Sequence, residues 1–187
     1  MRIPILRTKR LILRPHACED FAACARMWAD PAVTRYIGGQ PSTAAQAWTR
    51  LLAYRGHWEL MGYGYWAVEE RSTGRFVGEL GFADFKRDLK PALKIVPEMG
   101  WVFVPSRHGR GYATEAVRAA AAWGDSHFGK RRVHCLIDPG NQASAHVALK
   151  CGFRKLRPAV HKGAPTVVFV RSARAAGIAP ILAKITA

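Results

Sequence analysis

Apolar side chains recur along this chain at two spacings, every second residue in some stretches and every third or fourth in others. The first spacing is typical of β-strands and the second of amphipathic helices, and glycine or proline marks the ends of elements. In chain order the pattern predicts a strand over residues 8–14, helices over 19–29 and from 42 or 43 to about 60, strands over 65–69 and 76–82, a loop over 84–90, a strand over 95–104, a helix over 112 to about 128, a strand over 133–137, a helix over 143–151, and last strands beginning at 153 and over 166–170.

This order of elements indicates an α/β fold in which a mixed central sheet carries helices on both faces. A length of 187 residues with 49% hydrophobic content suits a single domain over residues 1–187, with a tail over 175–187 for which no element is predicted. In such a sheet a ligand lies where neighbouring parallel strands separate, beside the N-terminus of the following helix.

One junction in the chain has the chemistry of a phosphate site. The buried strand ends at Val104, Pro105 follows it, and Gly109 and Gly111 precede the alanine-rich helix. Free main-chain N–H groups at such a helix start attract anions, and glycine lets a phosphate approach the backbone. The junction lacks the Gly-Lys-Ser/Thr of a P-loop and the third glycine of a dinucleotide fingerprint.

The same junction carries a known signature. Its residues 108–113, His-Gly-Arg-Gly-Tyr-Ala, resemble the acetyl-coenzyme-A motif Gln/Arg-x-x-Gly-x-Gly/Ala of the GNAT superfamily of N-acetyltransferases. His108 stands where Gln or Arg is commonest. Residues 114–116, 138–144 and 150–153 follow in the order and spacing of the branch that includes the ribosomal-protein N-terminal acetyltransferases, and the resemblance spans residues 8 to about 172.

The resemblance implies the GNAT (acyl-CoA N-acyltransferase) fold, in which the strand ending at Val104 and the strand starting near Val133 splay apart around a pantetheine arm. It also implies transfer of an acetyl group from acetyl-CoA, the cosubstrate, to a primary amine by direct transfer in a ternary complex. The residues that it assigns to acetyl-CoA are Phe103, Val104, His108, Gly109, Arg110, Gly111, Tyr112, Ala113, Thr114, Asn141 and Ser144.

Two side chains are candidates for the proton transfers. Glu98, at the start of the central strand, could take the amine's proton directly or through water, or could be an exposed strand-end carboxylate. Ser144, one turn into the helix that Asn141 caps, resembles the proton donor near the sulfur, or could be an ordinary first-turn residue. Many relatives have a tyrosine on this helix, and here none occurs between Val133 and the C-terminus.

Other reactive residues are expected to be structural. Cys151 precedes Gly152 at a helix end, where a small buried side chain is expected, and Glu115 would repel a phosphate if it faced one. Asn141 is expected both to cap its helix and, by resemblance, to bond the pantetheine amide. The four cysteines are scattered without metal-ligand spacing, so we expect reduced thiols and no metal.

The formal charge of +16 is unevenly distributed, because all 13 acidic residues lie at or before Asp138 and eight Lys or Arg residues follow it. Such a surface could attract coenzyme A or RNA, or could be merely solvated. The alternative function is therefore a basic ribosome- or RNA-associated module with a vestigial CoA site. The chain lacks the stacking-aromatic pattern of RNA-binding motifs.

The acceptor is expected to be a small amine or a protein N-terminus, with the N-terminus of a ribosomal protein among the candidates. The presumed cleft segment, residues 33–64, contains a single acid, Glu59, among aromatic and basic side chains. A polycationic acceptor would be repelled, so we expect one that is neutral or anionic apart from its amine. The aromatic and basic residues of the segment are Tyr36, Trp48, Tyr54, Trp58, Tyr63, Arg35, Arg50 and Arg55.

No apolar run suggests a signal peptide or a membrane span, which predicts a cytoplasmic protein. We expect it to be a monomer or a homodimer.

Overall fold

A computed structural model describes residues 2–173, and the tail expected over 175–187 lies outside them. The strands are β1 (Leu6–Arg7), β2 (Leu11–Pro15), β3 (Tyr65–Glu70), β4 (Phe76–Ala83), β5 (Leu89–Lys90), β6 (Glu98–Phe103), β7 (Val133–Ile137), β8 (Arg154–His161) and β9 (Ala164–Arg171). The helices are α1 (Phe21–Trp28), α2 (Pro31–Thr34), α3 (Ala44–Met61), α4 (Tyr112–Phe128) and α5 (Gln142–Lys150).

The strands form one nine-stranded sheet in the order β1-β2-β3-β4-β6-β7-β9-β8-β5. Every neighbouring pair is antiparallel except β6 and β7, which are parallel. The mixed sheet predicted from the sequence is therefore confirmed.

The parallel pair at the centre of the sheet separates almost at once. Only Glu98 and His134 face each other in the ladder of β6 and β7, and the His134 N–H donates to Pro97 O at 3.2 Å. Beyond this pair, β6 has no strand partner on its β7 side among the described residues. A gap thus opens from Glu98 toward the C-terminal end of β6, which confirms the expected splay.

The two faces of β6 pack against different helices. Met99 and Phe103 join the core that α4 covers with Ala116 and Val117. Val102 faces the other side, where it packs against a cluster built from α1, α2 and α3. Because successive side chains of a strand point to opposite faces, Glu98, Gly100 and Val102 share the α1 and α3 face.

Capping residues set several helix ends as the sequence predicts. Thr43 accepts a hydrogen bond from Gln46 N–H and completes a capping box at the start of α3. Gly62, in the left-handed conformation at φ 76°, ends the same helix. Asn141 caps α5 by accepting from the Ser144 N–H. None of the described helices has the length and apolarity needed to cross a membrane.

Three predicted boundaries are wrong. The central strand begins at Glu98 instead of residue 95, because Pro97, directly before it, has no N–H to donate to a ladder. The segment 84–90 is not all loop, since β5 pairs with β8 at the sheet edge. The strand predicted to open at residue 8 begins at Leu11, because residues 8–10 form the turn between β1 and β2, which brings Thr8 and Arg10 to α4.

Candidate active site

The junction between β6 and α4 is a loop with two glycines in the left-handed conformation. A single 3-10 turn covers Pro105–Arg107, and Gly109 and Gly111 then take φ values of 72° and 76°. Only glycine adopts such angles without strain. A Cβ on Gly109 would meet nothing within 4 Å, so the conformation and not crowding requires glycine at that position.

The start of α4 leaves main-chain donors free. Gly111 is its N-cap and offers no side chain, and the first N–H bonded back into the helix is that of Glu115, which donates to Gly111 O at 3.0 Å. The N–H groups of Tyr112, Ala113 and Thr114 come before it and have no helical partner. With the positive end of the helix dipole they make a candidate anion site at the C-terminal end of β6.

The turn after β1 supports this loop from the side. The Glu115 carboxylate accepts hydrogen bonds from Thr8 Oγ1 at 2.6 Å and from Arg10 Nε at 2.7 Å, and Arg10 Nη1 donates to Arg110 O at 2.8 Å. Burial alone would raise the pKa of Glu115, but these bonds hold it below its ordinary value. Glu115 is thus ionised and occupied by Thr8 and Arg10, in agreement with the structural role expected for it.

A second carboxylate fixes the loop from the adjoining hairpin. Glu70 accepts from Tyr112 Oη at 2.5 Å, Arg107 Nη2 at 3.0 Å and Thr73 Oγ1 at 2.8 Å. The bonds from Tyr112 and Thr73 hold the pKa of Glu70 below its ordinary value. Sequence reasoning missed Glu70 and Arg10, because neither lies in or beside the motif that they hold.

The loop residues predicted to bind acetyl-CoA differ in burial and in the groups that they expose. Phe103 and Tyr112 are buried, so their side chains belong to the core and only their main chains face the site. His108 Nε2–H donates to Phe103 O at 2.9 Å, which ties the loop back to the end of β6. Arg110 and the two glycines are exposed, and Val104, Ala113 and Thr114 are half-buried.

Across the gap, the start of α5 presents two more of the predicted residues. Asn141 Oδ1 accepts from Ser144 N–H at 3.0 Å, and both side chains are half-buried. Cys151, at the other end of the helix, is buried, and burial raises the pKa of its thiol. A buried, protonated thiol is a poor nucleophile, in agreement with the structural role expected for Cys151.

Glu98 lies at the closed end of the gap, between Arg87 and His134. It is 6% exposed, so the alternative of an exposed strand-end carboxylate is wrong. Arg87 donates to both of its oxygens, at 2.6 and 2.8 Å, and His134 Nε2 lies 3.6 Å from Oε2. Burial would raise the pKa of Glu98, but His134 and Arg87 hold it below its ordinary value.

The α1 and α3 face of the sheet holds a buried carboxylate that sequence analysis missed. Glu79 on β4 accepts from Trp28 Nε1 at 2.9 Å and from Tyr54 Oη at 2.8 Å, so it anchors both helices to the sheet. Burial raises its pKa. Tyr54, Trp58 and Tyr63 were expected in the cleft, but they are 3%, 1% and 8% exposed and belong to the core.

Comparisons with known proteins agree with this geometry. The sequence model of the acetyltransferase (GNAT) domain family matches residues 10–154. That match covers most of the chain. The chain belongs to the GNAT acetyltransferase family.

Similar proteins come from several bacteria. An uncharacterised N-acetyltransferase of Bacillus subtilis, YoaA, is 29% identical over 153 residues, which are 81% of this chain and 84% of YoaA. A Bordetella pertussis protein assigned to the GNAT family is 31% identical, with a TM-score of 0.79 over 90% of this chain and 99% of its own. RimL, a ribosomal L7/L12 alpha-N-protein acetyltransferase solved with coenzyme A, is 15% identical with a TM-score of 0.73, covers 90% and 97% of the two chains, and therefore shows the fold alone.

Within this GNAT protein, one group of described residues resembles a metal site. Ligand atoms of His16, Cys24 and Glu79 lie within 4.8 Å of one another. The Glu79 oxygens are already occupied, by Trp28 and Tyr54 on one side and by Cys24 Sγ at 3.7 Å on the other. We therefore interpret Glu79 and its three donors as a hydrogen-bonded anchor beside His16, and the absence of a metal stays a prediction.

Proposed function

We propose that this protein is an N-acetyltransferase that moves an acetyl group from acetyl-CoA to a primary amine, by direct transfer within a ternary complex. The observation that carries the proposal is the placement of two features on one strand. The anion-binding loop follows the C-terminal end of β6, and the gap between β6 and β7 begins at its N-terminal end, at Glu98.

The residues at both features fit acetyl-CoA. The free N–H groups of Tyr112, Ala113 and Thr114 suit the pyrophosphate, and Gly109 and Gly111 present no side chain to it. We assign the pantetheine amide to Asn141, on the other side of the gap. Acetyl-CoA supplies an acyl group activated as a thioester, and the chain supplies binding, orientation and proton transfer.

In the reaction, the amine nitrogen bonds to the carbonyl carbon, and the carbon–sulfur bond breaks with its electron pair remaining on sulfur. One proton leaves the amine and one reaches the thiolate. We assign the first to Glu98, directly or through water, since a carboxylate whose pKa is lowered is in the accepting form throughout the neutral range. We assign the second to Ser144, whose half-buried hydroxyl lies in the first turn of α5.

The acceptor that we propose is a protein N-terminus or a small amine that bears little positive charge. The structural likeness to RimL, which acts on a ribosomal protein, motivates the first choice. The net charge of +16 opposes a polycationic acceptor and would favour one presented on an RNA-bearing particle. The alternative, an RNA-associated module with a vestigial CoA site, is not favoured, because the family is one of acetyltransferases.

A panel of amine acceptors tests this proposal. Release of free CoA is followed with peptides that carry free N-termini, with amino acids, with aminoglycosides and with spermidine, at low and high ionic strength. We expect peptide or amino-acid amines to be preferred over the polycations, most clearly at low salt, where charge repulsion is least screened. Preferred turnover of spermidine would refute the proposal that the acceptor bears little positive charge. Absence of turnover with every acceptor would refute the proposed acetyltransferase activity.

A further inference from the structure

The α1 and α3 face of the sheet contains a tyrosine hydroxyl without a partner. Tyr65 on β3 is 5% exposed, and its Oη makes no hydrogen bond among residues 2–173. The hydroxyl is nonetheless not sealed from solvent, because the fully enclosed, unpartnered polar atoms belong to His16, Arg50 and His134. A donor that is packed into place yet left free is available to a ligand.

Two glycines make room for this side chain. Gly81 on β4 and Gly100 on β6 face each other across the ladder. A Cβ on Gly100 would overlap Tyr65 Oη and lie 3.3 Å from Cζ, whereas one on Gly81 would overlap the Tyr65 main chain. The hydroxyl therefore lies directly on the backbone of Gly100.

Gly100 is at the start of the gap. It follows Glu98, the last residue of β6 paired with β7, by two positions, so both lie on the same face of the strand. Val104, at the loop, comes four positions later in the chain, which in extended backbone is about 14 Å. A pantetheine arm that ran from the loop along β6 would carry its acyl end toward Gly100.

The tyrosine is held rigidly and stays protonated. Its ring lies flat on Tyr54, with centroids 4.2 Å apart and planes at 1°, and Tyr54 is itself fixed by Glu79. Burial, and then the nearby charge of Glu98, raise the pKa of Tyr65. The hydroxyl is therefore a donor at neutral pH and not a phenolate.

We propose that Tyr65 is a catalytic residue that donates a hydrogen bond to the carbonyl oxygen of the acyl group. This inference rests on the proposed function. Negative charge grows on that oxygen as the amine nitrogen bonds to the carbonyl carbon, and it disappears when the carbon–sulfur bond breaks and the carbonyl re-forms. A fixed donor at this position stabilises the charge without giving up its own proton.

A double-mutant cycle tests the placement of the hydroxyl without any activity measurement. Gly100→Ala should lower the melting temperature, because its methyl group would overlap Tyr65 Oη. Tyr65→Phe removes that oxygen, so the same alanine should cost clearly less in the Tyr65→Phe background. Equal costs in the two backgrounds would contradict the placement.

Binding and turnover test the role. Calorimetry should show that Tyr65→Phe weakens acetyl-CoA about five-fold while CoA, which lacks the carbonyl, binds as before. Turnover with the best acceptor of the panel should fall by about a hundred-fold. Tyr63→Phe is the matched control, since Tyr63 packs on Phe128 in the core that α4 covers and should leave both values unchanged.

The outcomes separate the two proposals. If the wild-type protein binds neither acetyl-CoA nor CoA, the proposed function fails. If the wild type binds and turns over but Tyr65→Phe matches it in turnover and in the acetyl-CoA to CoA affinity ratio, the assignment of Tyr65 fails and the proposed function stands.

Discussion

The anion-binding loop and the buried cluster around Glu79 are built in opposite ways. The loop is a continuous stretch, residues 104–115, and the binding that we propose for it uses main-chain N–H groups that a glycine turn exposes. The cluster joins side chains from α1, α3 and β4, and His16 directly after β2, that are far apart in the chain. A site made of backbone tolerates changes of side chain, as His108 illustrates, whereas a site made of side chains depends on each partner.

The largest effect is expected from substituting a glycine of the loop, because the proposed binding depends on its backbone conformation. Acetyl-CoA at a hundred times its Kd should stabilise the wild-type protein by about 2.7 kcal/mol. Gly111→Val should abolish this gain, because φ is 76° there and a β-branched side chain would crowd the approach to the free N–H groups. Thermal unfolding with and without ligand measures both values.

The control for this variant is a second glycine with the same backbone strain. Gly39→Val substitutes a residue at φ 73° that has nothing within 4 Å of its Cβ position and lies outside the loop. Gly39→Val should be less stable than the wild type without ligand, yet acetyl-CoA should stabilise both proteins equally. Undiminished stabilisation of Gly111→Val would overturn the loop as the anion site.

The buried cluster around Glu79 should instead make the free energy of unfolding depend on pH. Burial lowers the pKa of His16 from 6.5 to about 4, and both ring nitrogens are enclosed without hydrogen-bond partners, with Glu79 Oε2 lying 3.9 Å from Nε2. The His16 ring becomes protonated below about pH 6.5 in the unfolded chain but only below about pH 4 in the folded chain. The free energy of unfolding therefore decreases as pH falls through this window. His16 alone should cost about 3 kcal/mol of unfolding free energy at pH 4 relative to pH 7.

A variant that keeps the ring isolates this contribution. His16→Phe retains the stacking on Tyr54, whose centroid lies 5.5 Å away, and cannot be protonated. Its urea-derived unfolding free energy should fall about 3 kcal/mol less than that of the wild type between pH 7 and pH 4. Replacing the exposed His146 by Gln should leave the wild-type slope. If the unfolding free energies of wild type and His16→Phe fall equally between pH 7 and pH 4, His16 is accessible to protons in the folded state.

The same contrast explains what the sequence could and could not predict. Gly111, Asn141 and Thr43 act on their immediate neighbours, so the motif, the caps and the splay of β6 from β7 follow from local patterns and the resemblance. Glu79 is a single acid between apolar strand residues, and its partners Trp28 and Tyr54 look like core aromatics on their helices. Only the packing of α1 and α3 on β4 brings them together, and no spacing in the chain encodes that contact.

Glu98 lies between these two cases. Its place at the start of β6 was readable from the chain, but its burial and its pairing with Arg87 and His134 were not, because those residues come from the 84–90 segment and from β7. The low pKa that results keeps the carboxylate charged, and it also makes Glu98 a weak base. We therefore expect the effect of its removal to be modest in size and distinctive in its pH dependence.

Glu98→Gln should lower kcat/KM by about ten-fold near neutral pH and move the acid limb of its pH profile upward by about one unit, because turnover then requires an amine that has already lost its proton. The assay follows CoA release between pH 5.5 and 9.5 with one acceptor. Asp88→Asn is the control, since it removes a neighbouring exposed negative charge and leaves the Glu98 pair intact. If the acid limb of Glu98→Gln coincides with that of the wild type, water takes the proton and Glu98 serves only to hold Arg87 and His134 at the closed end of the gap.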